Sequence, residues 1–154
     1  MDLSVLAARG QTLAVAESLT GGLLGAAITA VPGASAFFRG GVIAYATELK
    51  AELLGVPREL LARHGAVHPE VAAAMARGVC RLTGASWGLS TTGVAGPDLQ
   101  DGQPVGRVFV GLCAPGGAES ARRFALVGSR EEIRNSTVIH AMSLLQAAIG
   151  EHKG

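Results

Sequence analysis

Residues Thr12–Ile28, TLAVAESLTGGLLGAAI, decide the architecture. The apolar run 12–16 is the length of a buried strand, and residues 21–30 form a second apolar run of helical length. Between them stand a carboxylate, Glu17, two hydroxyls, Ser18 and Thr20, and two glycines. A strand that hands over to a helix through such a turn exposes backbone N–H groups, and in α/β proteins anionic ligands bind at that junction. Glu17 has two readings from sequence. It orients Ser18 or a neighbouring hydroxyl, or it is a structural carboxylate hydrogen-bonded to backbone.

Working outward, residues 41–46 (GVIAYA) and 86–91 (SWGLST) read as further strands. Residues 105–114 and 118–127 flank Pro115-Gly116-Gly117 and form a hairpin. Helices fit 21–30, 47–54, 57–64, 69–83 and 130–149. Pro57 stands at a first helical position and Gly65 just past that helix's end. Ser129 and Glu132 have the spacing of a capping box. The order is αβαβαααβββα, which predicts an α/β domain with a mixed sheet covered by helices on both faces. The whole chain, 1–154, reads as one such domain, with no repeat or linker.

Composition limits the function. Hydrophobic residues make up 49% of the 154, but Gly, Pro and Arg break every apolar run before it could span a bilayer. No basic segment followed by an apolar one opens the chain, so it reads as a soluble, cytoplasmic domain with no membrane partner. A net charge of +1 gives no basic surface for nucleic acid. Aromatic residues are only 4%, so the core packs with Ala, Val, Leu and Gly, and the apolar excess suggests a buried self-association surface. Cys80 and Cys113 have no CxxC spacing and read as structural.

Metal chemistry lacks a motif. His64 and His68 are separated by Gly65, Pro69 follows them, and no HExxH is present. There is no GxSxG, and Asp98 and Asp101 fall in a turn-rich loop, GPDLQDGQP. The lysines say more. Eleven of the thirteen Lys and Arg residues are Arg, leaving Lys50 as the one lysine outside the tail. Lys can act as a base where Arg cannot. Tyr45, the sole tyrosine, lies five residues before it, and Ser35 lies upstream in a Pro-Gly-flanked loop. A serine activated by a lysine is a known nucleophile–base arrangement. It requires the Lys50 pKa to fall to about 7–8, through burial or a nearby cation such as Arg39. Two glycine-rich turns, SLTGG (18–22) and TTGVAG (91–96), each follow a strand and together outline a crevice. Neither matches a phosphate-loop or dinucleotide fingerprint. Arg130 and Arg134 open the last helix, where the macrodipole disfavours cations and an anionic ligand would justify them.

Five blocks then stand in order: VAESLTGGLL, VPGASAFFRGGVIAYATELKAELLGVP, HGAVHPEVAAAMA, TTGVAGPD…DGQPVGRVFVGL and SREEIRNSTVIHA. From about residue 5 to 150 the chain resembles the CinA C-terminal domain family, whose enzymatic members are nicotinamide mononucleotide deamidases. The resemblance implies a three-layer α/β/α fold, a homodimer or higher homo-oligomer, and a place in NAD salvage. It implies hydrolysis of nicotinamide mononucleotide to nicotinate mononucleotide and ammonia with neither metal nor cofactor. Carried over by position, Ser35 is the nucleophile, with Tyr45 and Lys50 moving protons. Ser18, Thr20, Gly21, Gly22, Thr92 and Gly93 form the pocket, with Thr20 capping the helix. Arg130 or Arg134 holds the nucleotide, and Arg39 is a further candidate. Leu19 stands where the family often has Cys, and Ser129 where Asp is common. The alternative from another class is a non-catalytic interaction module linked to competence or DNA damage.

Overall fold

The structure, a computed structural model, describes residues 2–153. It forms a five-stranded mixed sheet between two helical layers. In chain order the elements are α1 (Ser4–Ala8), β1 (Leu13–Glu17), α2 (Leu23–Thr29), a 3₁₀ turn (Ala34–Ala36) and β2 (Phe38–Ile43). Then follow α3 (Thr47–Glu52), α4 (Arg58–His64), α5 (Pro69–Thr83), β3 (Trp87–Gly93), β4 (Arg107–Cys113), β5 (Glu119–Ala125) and α6 (Arg130–Glu151). The strand order is β2-β1-β3-β4-β5. Strand β1 pairs in parallel with both β2 and β3, whereas β4 and β5 continue the sheet antiparallel. The expected αβαβαααβββα order is therefore the observed one. No helix among the described residues is long and apolar enough to cross a membrane.

Strand alternation sorts the core into two faces. Leu13 and Val15 point to the layer of α1, α2 and α6, where they join Leu6, Leu24, Ile28, Ile133 and Leu145. Ala14 and Ala16 point the other way, onto Val71, Met75 and Val79 of α5. With both faces covered, β1 is buried at every position, which is why its sequence is a continuous apolar run. Helix α5 lies very close to the sheet because the contact is made by small residues. A side chain at Gly88 would strike the Ala76 carbonyl, and one at Gly111 the Ala72 carbonyl. Ser90 donates its hydroxyl to that same Ala72 carbonyl.

Local signals account for most boundaries. Ser129 and Glu132 form the capping box of α6, each side chain accepting from the other's backbone N–H. His68 caps α5 through Nδ1, with Pro69 in the first turn. The β4–β5 hairpin closes across Pro115–Gly117, Ala114 donating to the Ala118 carbonyl. The second strand, β2, departs from expectation. It occupies 38–43 rather than 41–46, because β2 is a sheet edge defined by backbone pairing, from Leu13 with Phe38 to Glu17 with Ile43. Its residues alternate between half-buried and exposed, so apolarity did not mark it. Strand β3 runs on through Thr92 and Gly93, which were expected in a loop. Cys113 is buried and Cys80 half-buried, both unoxidised, and burial pushes the Cys80 thiol up to about 12. Both are suited to packing rather than nucleophilic work.

Candidate active site

The three parallel strands end side by side. The chain leaves β1 at Ser18, β2 at Ala44 and β3 at Val94. Ser18 donates its N–H to the Thr91 carbonyl, and Ala44 donates to the Glu17 carbonyl, so these exits are held in register. The connection after β1 leads toward the edge strand β2 and that after β3 toward β4, so the strand order reverses between β1 and β3, where a crevice opens. A cavity of about 370 Å³ occupies it, lined by Ser18, Leu19, Tyr45, residues 93–100 and Arg130.

Lys50 sits behind that cavity. It lies on α3, is 1% exposed, and its Nζ donates to Ser18 Oγ at 3.0 Å, to the Ala44 carbonyl at 2.7 Å and to the Tyr45 carbonyl at 3.3 Å. Burial lowers its pKa from 10.5 to about 8, against a smaller opposing pull from the Asp101 carboxylate. The amine therefore meets the requirement set by the sequence, through burial and not through Arg39. Two backbone carbonyls fix the nitrogen, and the hydroxyl it faces belongs to a residue lining the cavity.

That hydroxyl is Ser18, not Ser35. Ser35 lies exposed in the 3₁₀ turn before β2, whereas Tyr45 and Lys50 follow the far end of that strand. Six strand residues separate the two ends by on the order of 20 Å. Ser35 instead borders an apolar depression with Val31, Pro32 and Phe38. Arg39 is also remote, since its Nε donates to the carbonyl of Thr83, which precedes β3. Thr20 does not cap α2. It is buried, and its Oγ1 bonds Thr91 Oγ1 at 2.8 Å. Thr92 turns its hydroxyl to the Ala66 carbonyl. Gly21 and Gly22 shape the turn but do not line the cavity, while Gly93 does.

The two arginines of α6 separate cleanly. Arg134 donates to the carbonyls of Leu19 and Thr20 and so braces the turn after β1. Arg130 reaches across the cavity, donating to the Gly96 carbonyl and, at 3.2 Å, to the Tyr45 hydroxyl. Tyr45 is 60% exposed, so this pair stands at the mouth. A guanidinium has five N–H donors, and Arg130 keeps others for an anion. The turn 91–96 stands in the crevice as the sequence implies, and its last residues line the cavity. Sequence reasoning missed the continuation of that wall through Pro97–Gln100, whose Gly-Pro-Asp run reads on its own as turn chemistry. Among the described residues no cluster of three or more His, Cys, Asp or Glu side chains could hold a metal ion.

Fold and pairing together define a class: a three-layer α/β domain with a buried lysine–serine pair at the carboxyl ends of its parallel strands. The chain belongs to the CinA C-terminal domain family, whose model matches residues 3–149. It is 53% identical over 144 residues to a CinA-like protein of Frankia casuarinae, covering 94% of this chain and 33% of the relative. A CinA-like protein of Parasynechococcus marenigrum is 50% identical over 146 residues, covering 94% and 35%. The chain thus spans about a third of the length of these relatives. Among solved structures, competence damage-inducible protein A from Klebsiella pneumoniae superposes with a TM-score of 0.92 at 33% identity, covering 97% of this chain and 93% of that one. The competence/damage inducible protein of Agrobacterium tumefaciens gives 0.89 at 34% identity, covering 94% and 88%. The three-layer fold implied by the resemblance is the fold observed.

Proposed function

We propose that this domain is an amidohydrolase that converts nicotinamide mononucleotide to nicotinate mononucleotide and ammonia. One observation carries the reading: a fully buried lysine, its pKa lowered to about 8, 3.0 Å from the hydroxyl of a cavity-lining serine. The substrate follows from the resemblance described above, and it suits the cavity, which has a hydroxyl at its base and Arg130 at its mouth.

Neutral Lys50 takes the Ser18 proton as Oγ attacks the carboxamide carbon, giving a tetrahedral intermediate and an ammonium on residue 50. The C–N bond breaks, and the ammonium returns its proton to the departing nitrogen, which leaves as ammonia. Lys50, neutral again, deprotonates a water that attacks the Ser18 ester. Nicotinate mononucleotide leaves and Ser18 recovers its proton. Arg130 pairs with the phosphate, where a charged hydrogen bond is strongest. Tyr45 shares Arg130 at the mouth and gives Lys50 only its carbonyl, so its phenol orients the substrate's anionic end and does not relay the proton.

The test is ammonia release from nicotinamide mononucleotide by the wild type and by Ser18→Ala, Ser35→Ala and Lys50→Arg. The proposal expects activity to vanish in the first and third and to persist in Ser35→Ala. A wild-type protein that releases no ammonia refutes the activity. A Ser35→Ala variant as dead as Ser18→Ala refutes the assignment of the nucleophile.

A further inference from the structure

We propose that Glu17 is a positioning residue that holds Ser18 in its reactive place by clamping the start of α2 to the end of β1; this rests on the role given to Ser18 above. The carboxylate is 2% exposed. Its Oε1 accepts from the N–H groups of Gly22 at 3.2 Å and Leu24 at 2.8 Å, and its Oε2 from that of Gly25 at 3.0 Å. The residue at the N-cap of α2 is Gly22, which has no side chain to cap the helix. Glu17 does the capping from the strand instead, five residues upstream.

The clamp spans the turn that carries the nucleophile. Ser18 is held by its N–H on the Thr91 carbonyl and by its own carbonyl, which accepts from Gly21 N–H. Glu17 is held by its carbonyl on Ala44 N–H and by its side chain on α2. With backbone and helix pinned, the Ser18 side chain keeps only its own rotation, and the Lys50 ammonium or amine sets that. An acceptor with two oxygens is needed, because three donors converge on it. A glutamine would turn an NH₂ group toward at least one of those N–H groups. The same occupancy removes the amino end of α2 from the list of places for a substrate phosphate, which leaves Arg130. No side-chain hydroxyl among the described residues bonds Glu17, so it does not move protons in the reaction.

The test compares wild type with Glu17→Gln and Glu17→Ala for ammonia release from nicotinamide mononucleotide, for Ser18 labelling by a fluorophosphonate, and for thermal unfolding. A displacement of the nucleophile by about 1 Å costs about 10²-fold in turnover. Glu17→Gln is accordingly expected to lose about that factor in kcat, with KM within about threefold, an unmoved pH midpoint and intact folding. Glu17→Ala is expected to be worse. The labelling rate of Ser18 should fall in parallel. Folded Glu17→Gln protein with wild-type kcat and labelling overturns the inference, as does a loss seen only in KM. If wild type releases no ammonia yet labels at Ser18 at a Glu17-dependent rate, the substrate reading fails and the positioning role stands. If Ser18 does not label in an inactive wild type, both fall.

Discussion

Under the proposed reaction, ammonia release from nicotinamide mononucleotide followed between pH 6 and 10 should read the Lys50 amine directly. In water such an amine titrates near 10.5, and burial lowers it to about 8. At pH 7 a group of pKa 8 is neutral about one-tenth of the time, whereas one at 10.5 is neutral about three times in ten thousand, a gain of about 300-fold in usable base. The kcat/KM profile should therefore rise with a midpoint near 8, and Lys50→Arg should abolish it, because guanidinium stays charged throughout. A profile flat from pH 6 to 9, or one still rising at 10, refutes the role assigned to the amine. The same burial has a stability counterpart whose sign is fixed. Between pH 8 and 10.5 the unfolded chain binds the Lys50 proton and the folded chain does not, so folding stability rises with pH across that window. The gain is on the order of 3 kcal/mol for so buried a group. It should be missing from Lys50→Met when the two proteins are unfolded with urea in parallel at pH 7 and pH 10.

Ser18→Ala should lose on the order of 10³-fold or more in kcat while keeping its thermal midpoint, and trapped acyl-enzyme should appear by mass spectrometry only in proteins that retain Ser18. Arg130→Ala removes a charge-assisted contact of about 1.5–3 kcal/mol, so KM should rise about 10- to 100-fold, measurable by steady-state kinetics. Arg134→Ala, whose guanidinium braces backbone, should instead lower kcat with a smaller change in KM. Gly111→Ala forces a methyl against the Ala72 carbonyl and should cost about 1–3 kcal/mol, or several degrees in a calorimetric midpoint. Ser129→Ala, which opens the capping box of α6, should cost about 1 kcal/mol by urea unfolding.

The sequence was most legible where local chemistry decides structure. The apolar run 12–16, the Pro-Gly-Gly turn and the Ser129–Glu132 box each depend on residues a few positions apart, and each formed as read. Strand β2 was misplaced because an edge strand is specified by what pairs with it, and its alternating exposure left no apolar signature. Lys50 stood out by composition, and its burial could be required but not seen. Its partner was missed because Ser18 lies 32 residues away, and only the parallel pairing of β1 with β2 brings the two exits together. Ser35, nearer in sequence, is carried to the opposite end of the same strand. Arg130 and Arg134 share a helix face in sequence, and only the loop geometry sends one to the cavity and the other to the Leu19 carbonyl.

Desolvation of Lys50 makes the base indifferent to the ionic atmosphere. Counter-ions screen charges in solvent over roughly 8–10 Å, but they do not re-wet an enclosed amine. Added salt should therefore leave the alkaline rise of turnover where it is. The proposed encounter between Arg130 and a dianionic phosphate at the open mouth would be screened as any surface attraction is, so the concentration of nucleotide needed for half-saturation should climb with potassium chloride. Under the proposed reaction, chemistry and capture answer to two different dielectrics within one small domain.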